Sequence, residues 1–398
     1  MCGPARAQTA EPPVAVEFGG EVSEPKSWWR SALRSSQDLL DRIHDEGFFP
    51  QLKSFSDNTG AAPGVVYWKP RLGDTGLSFY ASYAHSFRGD SLRELRFGRI
   101  PHNGRRPPRR GDYEVLAPSE MGENGPFYYV ALRQRDLPSS ELFVPSPTGA
   151  GSSLRYHDNE SLYDAVAGYR FSPHFSAGLR AGLLKHDVGP GDEPLPDFLG
   201  DRMLTISPSG LSRQPDYLRT AAVFVYDDRD MPRNTHEGNF VSLTLARFAD
   251  REQGASSFNR VTLDARRFQP LGSSRHVLAM RLLTSQSFAD AGSYVPFYLQ
   301  ETLGGGFTMR SYPSFLFRGD KLFTVSSEYR FEITPRYELA AFYDVGKAWD
   351  HAAFSLRDLK SSYGAGFRWK TRDSVRFRLD VGHGSEGTQV LLKLGYSF

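Results

Sequence analysis

The sequence predicts an all-β fold: a transmembrane antiparallel β-barrel of about 16 strands that crosses the bilayer with alternating segments. The first observation is the closing segment, Val390 to Phe398. Leu392, Leu394, Tyr396 and Phe398 fall on one face of such a strand, and Lys393, Gly395 and Ser397 fall on the other, with Leu391 the exception. A strand that is apolar outward and polar inward suits a barrel wall, and terminal aromatics such as Tyr396 and Phe398 suit the membrane interface. The second observation is that this period of two recurs along most of the chain. The third is that no apolar run approaches the roughly 18 to 20 residues of a transmembrane helix. A mean hydropathy of −0.46 is compatible with a spanning chain when only every second residue faces lipid.

A chain of 398 residues has room for two or three ordinary domains or one large barrel. Its 38 glycines and 13% aromatics are high for a helical enzyme. A net charge of +2 argues against nucleic acid as a general partner. The single cysteine, Cys2, leaves the rest of the chain without a disulfide.

Residues 1–23 read as a flexible lead or the remnant of a signal peptide. Ala5-Arg6-Ala7 resembles the end of a secretory signal, without an apolar core before it. Residues 24–59 read as an amphipathic helix and linker. Pro25 suits the first turn and Gly47 the stop, and Trp28, Trp29, Leu33, Leu40 and Ile43 supply the apolar side. That side must be buried in the barrel lumen as a plug, on the membrane surface, or in a packing cap.

Residues 60–398 read as the barrel. Leu77, Phe79, Ala81 and Tyr83 alternate with Ser78, Tyr80 and Ser82. Val241, Leu243 and Leu245 alternate with Ser242, Thr244 and Ala246, and Val375, Phe377, Leu379 and Val381 with Arg376, Arg378 and Asp380. Similar segments lie near 63–71, 91–99, 126–134, 161–171, 174–184, 217–227, 257–269, 275–287, 321–333, 337–346 and 361–369. One more short strand is expected near 112–117 or 151–158, which brings the count to an even number. Leu72-Gly73-Asp74 and Ser172-Pro173-His174 mark tight turns. Segments 100–112, 135–160, 185–216 and 288–320 read as long extracellular loops. The first carries the run Arg105-Arg106-Pro107-Pro108-Arg109-Arg110, either a solvated loop or a site for anionic headgroups.

Three segments in the last third belong together. Leu303-Gly304-Gly305-Gly306-Phe307-Thr308-Met309-Arg310-Ser311-Tyr312 lies in the longest loop, and Glu328 and Asp344 lie on the two strands that follow. Alternation turns Phe323, Val325, Tyr329 and Phe331 to lipid and Glu328 and Arg330 to the lumen. In the next strand Leu339, Ala341, Tyr343 and Val345 face lipid, so Asp344 faces inward. Two inward carboxylates need a cation, and the forked donors of an arginine can bridge both. Arg310, on a glycine-rich loop long enough to fold inside, is the candidate. Its removal is expected to strand both acids at a cost on the order of 3–5 kcal/mol.

These residues resemble the bacterial surface antigen barrel, the superfamily of outer-membrane assembly factors (BamA and TamA types) and two-partner-secretion translocators. Met309-Arg310-Ser311-Tyr312 resembles the family's loop tip, with serine in place of glycine, and Phe342, Asp344 and Gly346 match its strand motif. Asp227-Asp228-Arg229-Asp230 with Gly238, and Arg267 to Leu271, are similar to further family elements. The resemblance is good over 217–398 and compatible over 60–216. It implies a loop that enters the lumen and pairs its arginine with strand acids. It also implies residence in the bacterial outer membrane and a role in assembly, insertion or translocation at a weak seam between first and last strands. Periplasmic POTRA repeats, which the family carries, are not legible in residues 1–59, so a short form is expected.

The latch of Arg310, Tyr312, Glu328 and Asp344 then either fixes the loop near the seam or only stiffens the lumen. Expected partners are outer-membrane lipids and lipopolysaccharide, an unfolded outer-membrane or secreted client, and a periplasmic or barrel partner. The alternative is a gated or passive channel for small solutes. A barrel enzyme is not expected, because none of the ten histidines sits in a recognisable catalytic context, and no cofactor or metal is implied.

Overall fold

A computed structural model describes residues 46–53, 61–104, 107–108, 117–118, 121–144, 152–190, 209–210, 212–252, 254–350, 353–371 and 374–395. The expected lead, the helix with Trp28, Trp29, Leu33, Leu40 and Ile43, the four arginines of the 105–110 run, and Tyr396 and Phe398 lie outside these residues.

One antiparallel sheet of 16 strands forms the barrel, each strand paired with its neighbours in chain order. Its first half comprises β1 (Phe48–Lys53), β2 (Ala62–Lys69), β3 (Ser78–His85), β4 (Ser91–Arg99), β5 (Gly125–Val144), β6 (Ser152–Ser172), β7 (Phe175–Pro190) and β8 (Tyr217–Asp227). Then follow β9 (Gly238–Asp250), β10 (Phe258–Leu271) and β11 (Ser273–Ala289). The long loop after β11 carries a two-stranded ribbon of its own, β12 (Glu301–Leu303) and β13 (Phe317–Gly319). The barrel resumes with β14 (Lys321–Thr334), β15 (Tyr337–Trp349), β16 (Lys360–Thr371), β17 (Ser374–Gly384) and β18 (Gly387–Lys393).

Alternation is physical along these strands. On β15, Leu339, Ala341 and Tyr343 are exposed to the outside while Ala340, Phe342 and Asp344 are buried within. On β14, Val325 and Tyr329 are exposed and Glu328 and Arg330 are buried. The two walls of the lumen differ. Along β2–β10 the interior holds a large apolar cluster that includes Trp68, Tyr80, Phe127, Tyr129, Leu162 and Val223, with buried charges such as Glu94, Arg96, Asp164 and Arg180 set among it. Along β14–β17 it is charged, with Glu328, Arg330, Asp344, Arg368, Arg378 and Asp380 all buried.

Four expectations change. The sixteenth strand is β1, within the segment expected to be a linker, because Phe48 to Lys53 pairs with β2 despite Pro50. Residues 135–160 are mostly strand. At 20 and 21 residues, β5 and β6 exceed the roughly 10 residues that cross a bilayer, so their shared end projects beyond it. The connection after β4 leaves the rim opposite to the β11–β14 loop, since successive antiparallel strands alternate direction, so 100–112 is not on the loop's side. Finally, pairing jumps from Trp369↔Phe377 to Lys370↔Val375, and this irregularity turns Val375 inward, away from the face of Phe377 and Leu379.

Candidate functional site: the arginine-tipped loop in the charged lumen

The loop between β11 and β14 folds back on itself at residues 304–312. Gly304 (φ +129°) and Gly305 (φ +80°) both sit in the left-handed region. A Cβ on Gly304 would lie 2.0 Å from the Pro313 carbonyl oxygen, so only glycine fits there. The Gly305 amide donates to the Tyr312 carbonyl (2.8 Å), the Met309 amide donates to the Gly305 carbonyl (3.0 Å), and the Thr308 hydroxyl donates to the Gly304 carbonyl (2.8 Å). These bonds close a compact turn with Arg310 at its tip. Gly346 leaves space beside it, because a Cβ there would come within 3.0 Å of a Leu303 methyl carbon.

Arg310 is 2% exposed. Its Nε donates to Asp344 Oδ2 at 2.8 Å and its Nη2 to Asp344 Oδ1 at 2.7 Å, a two-pronged pair, while Nη1 donates to Glu328 Oε2. The guanidinium lies 3.6 Å from the Phe342 ring centroid, on the apolar floor of the site. Burial alone would lower the Arg310 pKa. The bonds to Asp344 and the field of Glu328 outweigh it and hold the group further above its ordinary value, so it stays charged.

The network extends beyond the residues the sequence singled out. Glu328 also accepts from Arg330 (2.8 Å) and Arg368 (3.0 Å). Arg368 in turn bonds Asp380, and Arg378 lies 3.1 Å from the same carboxylate. Wall arginines grip the loop backbone as well. Arg378 donates to the Gly306 carbonyl (3.2 Å), and Arg281, paired with Asp264 at 2.9 Å, donates to the Phe307 carbonyl (2.9 Å). The Tyr312 hydroxyl donates to the Ser361 carbonyl (3.1 Å), and the Ser311 amide donates to Ser362 Oγ (3.1 Å). Gly382 gives the tip its clearance, since a Cβ there would stand 3.2 Å from the Arg310 backbone.

The far end of the loop rests on the opposite wall. Arg318 donates to the Phe297 carbonyl (3.0 Å) and to the Tyr156 hydroxyl of β6 (3.1 Å). The Phe297 ring meets Tyr156 edge-on at 5.2 Å, and Tyr298 lies against His186 of β7 at 4.8 Å. The loop therefore spans the lumen, from β14–β17 on one side to β6–β7 on the other.

Arg310, Tyr312, Glu328 and Asp344 are thus brought together, with Gly304, Gly305, Phe342 and Gly346 shaping their surroundings. Arg368, Arg378 and Asp380 were missed as partners. The alternation of Arg378 and Asp380 with Phe377 and Leu379 signalled that they face inward, but cross-strand register was needed to bring them to Glu328. Among the described residues, no group of three or more His, Cys, Asp or Glu is placed to hold a metal ion.

Comparison with known proteins gives a family and a fold. Residues 194–390 match the Omp85 superfamily domain. Among solved structures, the chain is similar to BamA from Haemophilus ducreyi lacking POTRA domains 1–3, at 11% identity and a TM-score of 0.58, over 92% of this chain and 77% of that one. CdiB from Acinetobacter baumannii (12% identity, TM-score 0.48) and CdiB from Escherichia coli (10%, 0.49) also align, over 86% and 88% of this chain. The chain spans only 58% and 59% of the length of those two proteins. A search of curated proteins finds no match.

Proposed function

We propose that this chain, which belongs to the Omp85 superfamily through residues 194–390 and resides in the Gram-negative outer membrane, assists the insertion or translocation of polypeptide at the seam between β1 and β18. The observation that supports the reading is the pair of unpaired edge strands. The hydrogen-bonded order begins at β1 and ends at β18, and no ladder joins those two strands among the described residues. Both are short, six and seven residues against 20 and 21 for β5 and β6. Unpaired strand edges are templates for strand addition, so a client strand can enter the sheet there without a ladder first being broken.

In this reading Arg310, with Tyr312, Glu328 and Asp344, is a latch. It holds the loop against β14–β17, the wall that ends in β18, and keeps the lumen filled while the seam works. The client is an unfolded outer-membrane or secreted protein, the surrounding lipid and lipopolysaccharide are the medium into which it passes, and a periplasmic or barrel partner delivers it.

The test pairs two measurements on the refolded chain. In vesicles of outer-membrane lipids, it should accelerate insertion of an unfolded client barrel over vesicles alone, and Arg310→Ala should lose much of that acceleration. In planar bilayers the intact chain should be nearly silent, and deletion of 24–47 reports whether the N-terminal segment shares the sealing. A large, steady conductance from the intact chain, with no acceleration of insertion, would replace this reading with a small-solute channel.

A further inference from the structure

Building on that reading, we propose that Pro50 is the residue that keeps the seam from zipping shut. The Trp68 amide donates to the carbonyl of Gly47 at 2.7 Å, and the two stand directly opposite in the β1–β2 register. In an antiparallel pair, opposed residues alternate between hydrogen-bonded and non-hydrogen-bonded. Phe49, Gln51 and Lys53 therefore direct their backbone groups at β2, while Phe48, Pro50 and Leu52 direct theirs at the seam. Proline has no amide hydrogen. The seam edge of β1 consequently offers three carbonyls but only two donors, and the missing donor is the central one.

A strand laid along this edge would leave one of its own carbonyls without a partner in the middle of the pairing. At bilayer depth there is no water to replace the bond, so the defect is costly. Proline is confined to edge positions of natural sheets for the same reason, where it discourages unwanted pairing. Its placement here is specific to the seam side. Pro63 of β2 stands opposite Leu52, at a non-hydrogen-bonded position, so its own missing donor faces away from β1 and beyond the β2–β3 ladder, whose last pair is Gly64↔Ala84.

The outer surface of β18 is consistent with an edge left uncovered. Val390 and Leu392 are 64% and 63% exposed, whereas Val381 on β17 and Leu339 on β15, flanked by strands on both sides, are each 45% exposed. The opening is thus asymmetric: the defect lies on β1, not β18.

The experiment is hydrogen–deuterium exchange of the full chain in lipid nanodiscs, with Pro50→Val, Pro50→Ala and the control Pro63→Val. Restoring the donor should slow exchange in the Thr388–Leu392 segment by about two- to tenfold, the worth of one net hydrogen bond. Pro63→Val should leave that segment unchanged. Pro50→Ala restores the donor without a β-branched side chain and serves if Pro50→Val fails to fold. Unchanged exchange in both Pro50 variants overturns the inference, whatever happens to client insertion. Slowed exchange together with slower insertion is the expected result. Slowed exchange with insertion unaffected upholds the role of Pro50 and instead removes the insertion reading of the seam.

Discussion

Replacing Arg310 with alanine strands one acid rather than two. Glu328 keeps Arg330 at 2.8 Å and Arg368 at 3.0 Å, whereas the hydrogen bonds described for Asp344 all come from Arg310. Asp344 is 1% exposed, so its carboxylate is left inside the wall with no donor. Breaking a buried pair from one side costs about 3–5 kcal/mol, and the surviving arginines around Glu328 place this case near the lower end. Loss of the contact with Phe342 adds about 1 kcal/mol, for a total of about 4 kcal/mol. The double variant Arg310→Ala/Asp344→Asn removes the stranded charge and should recover about 2 kcal/mol of that loss, a coupling typical of residues in direct contact. Arg310→Lys should recover little, since one ammonium cannot reproduce a two-pronged pair to Asp344 and still reach Glu328. Guanidinium unfolding in detergent micelles, followed by tryptophan fluorescence, gives the free energies, and limited proteolysis within 304–318 reports loop release. An Arg310→Ala protein within about 0.5 kcal/mol of wild type, with its loop cleaved no faster, would refute the latch.

Tyr312→Phe removes the bonds to the Ser361 carbonyl and to Ser385 but keeps the ring, and should cost about 2 kcal/mol by the same unfolding measurement. Arg318→Ala cuts the far end of the loop from the Tyr156 hydroxyl of β6 and removes its internal tie to the Phe297 carbonyl, so deuterium exchange should rise in 297–303 while 309–312 stays protected. The turn between β8 and β9 should loosen in acid. Burial pushes the Asp228 and Asp230 carboxyls up, but donors from Asn239 to the first, and from His236 and backbone amides to the second, outweigh it and hold both below their ordinary values. A depressed folded pKa contributes stability that is complete above the ordinary carboxylate range, near pH ~4, and is lost as pH falls through the folded value. Exchange at His236 and Glu237, whose amides donate to Asp230, should therefore accelerate on acidification when corrected for intrinsic rate, and Asp230→Asn should remove most of that dependence.

What the sequence disclosed follows from what alternation can and cannot encode. Period two placed Tyr343 outside and Asp344 inside because lipid and lumen impose opposite chemistry on successive residues. It misled beyond the bilayer. The upper halves of β5 and β6 have water outside, so Asp136, Ser139 and Ser140 read as loop although they lie in strand. It was not recognised at Phe48-Phe49-Pro50, which reads as linker after the Gly47 helix stop; the strand tolerates Pro50 because its missing donor points away from β2. Inward direction was legible for Glu328, Asp344 and Asp380 alike. Which of them meet was not, because register depends on bulges such as that between Trp369 and Lys370, and a single inserted residue there moves every later partner.

If the proposed seam is the working site, the charged network and the unpaired edges of β1 and β18 together decide which strand moves. Arg378 and Asp380 lie on β17, so the ion pairs that fix the loop also stiffen the strand that holds β18. β1 is held by its pairing with β2, by the Lys53–Glu94 contact at 3.4 Å and by the Gln51 side-chain amide, which donates to the Tyr83 carbonyl of β3 at 3.2 Å. β2 is itself only eight residues long, against 11 for β17. Any widening of the seam beyond its unpaired edges should therefore proceed by β1 peeling from β2, with β18 left in place on β17. The amides of Phe49, Gln51 and Lys53, which face β2, should exchange faster than those of β18 that face β17, and Arg310→Ala should narrow the gap by loosening the β17 side. Faster exchange on the β17–β18 side of the wild-type protein would mean that the ion pairs fix the loop without stiffening the wall, and the hinge would have to be sought there instead.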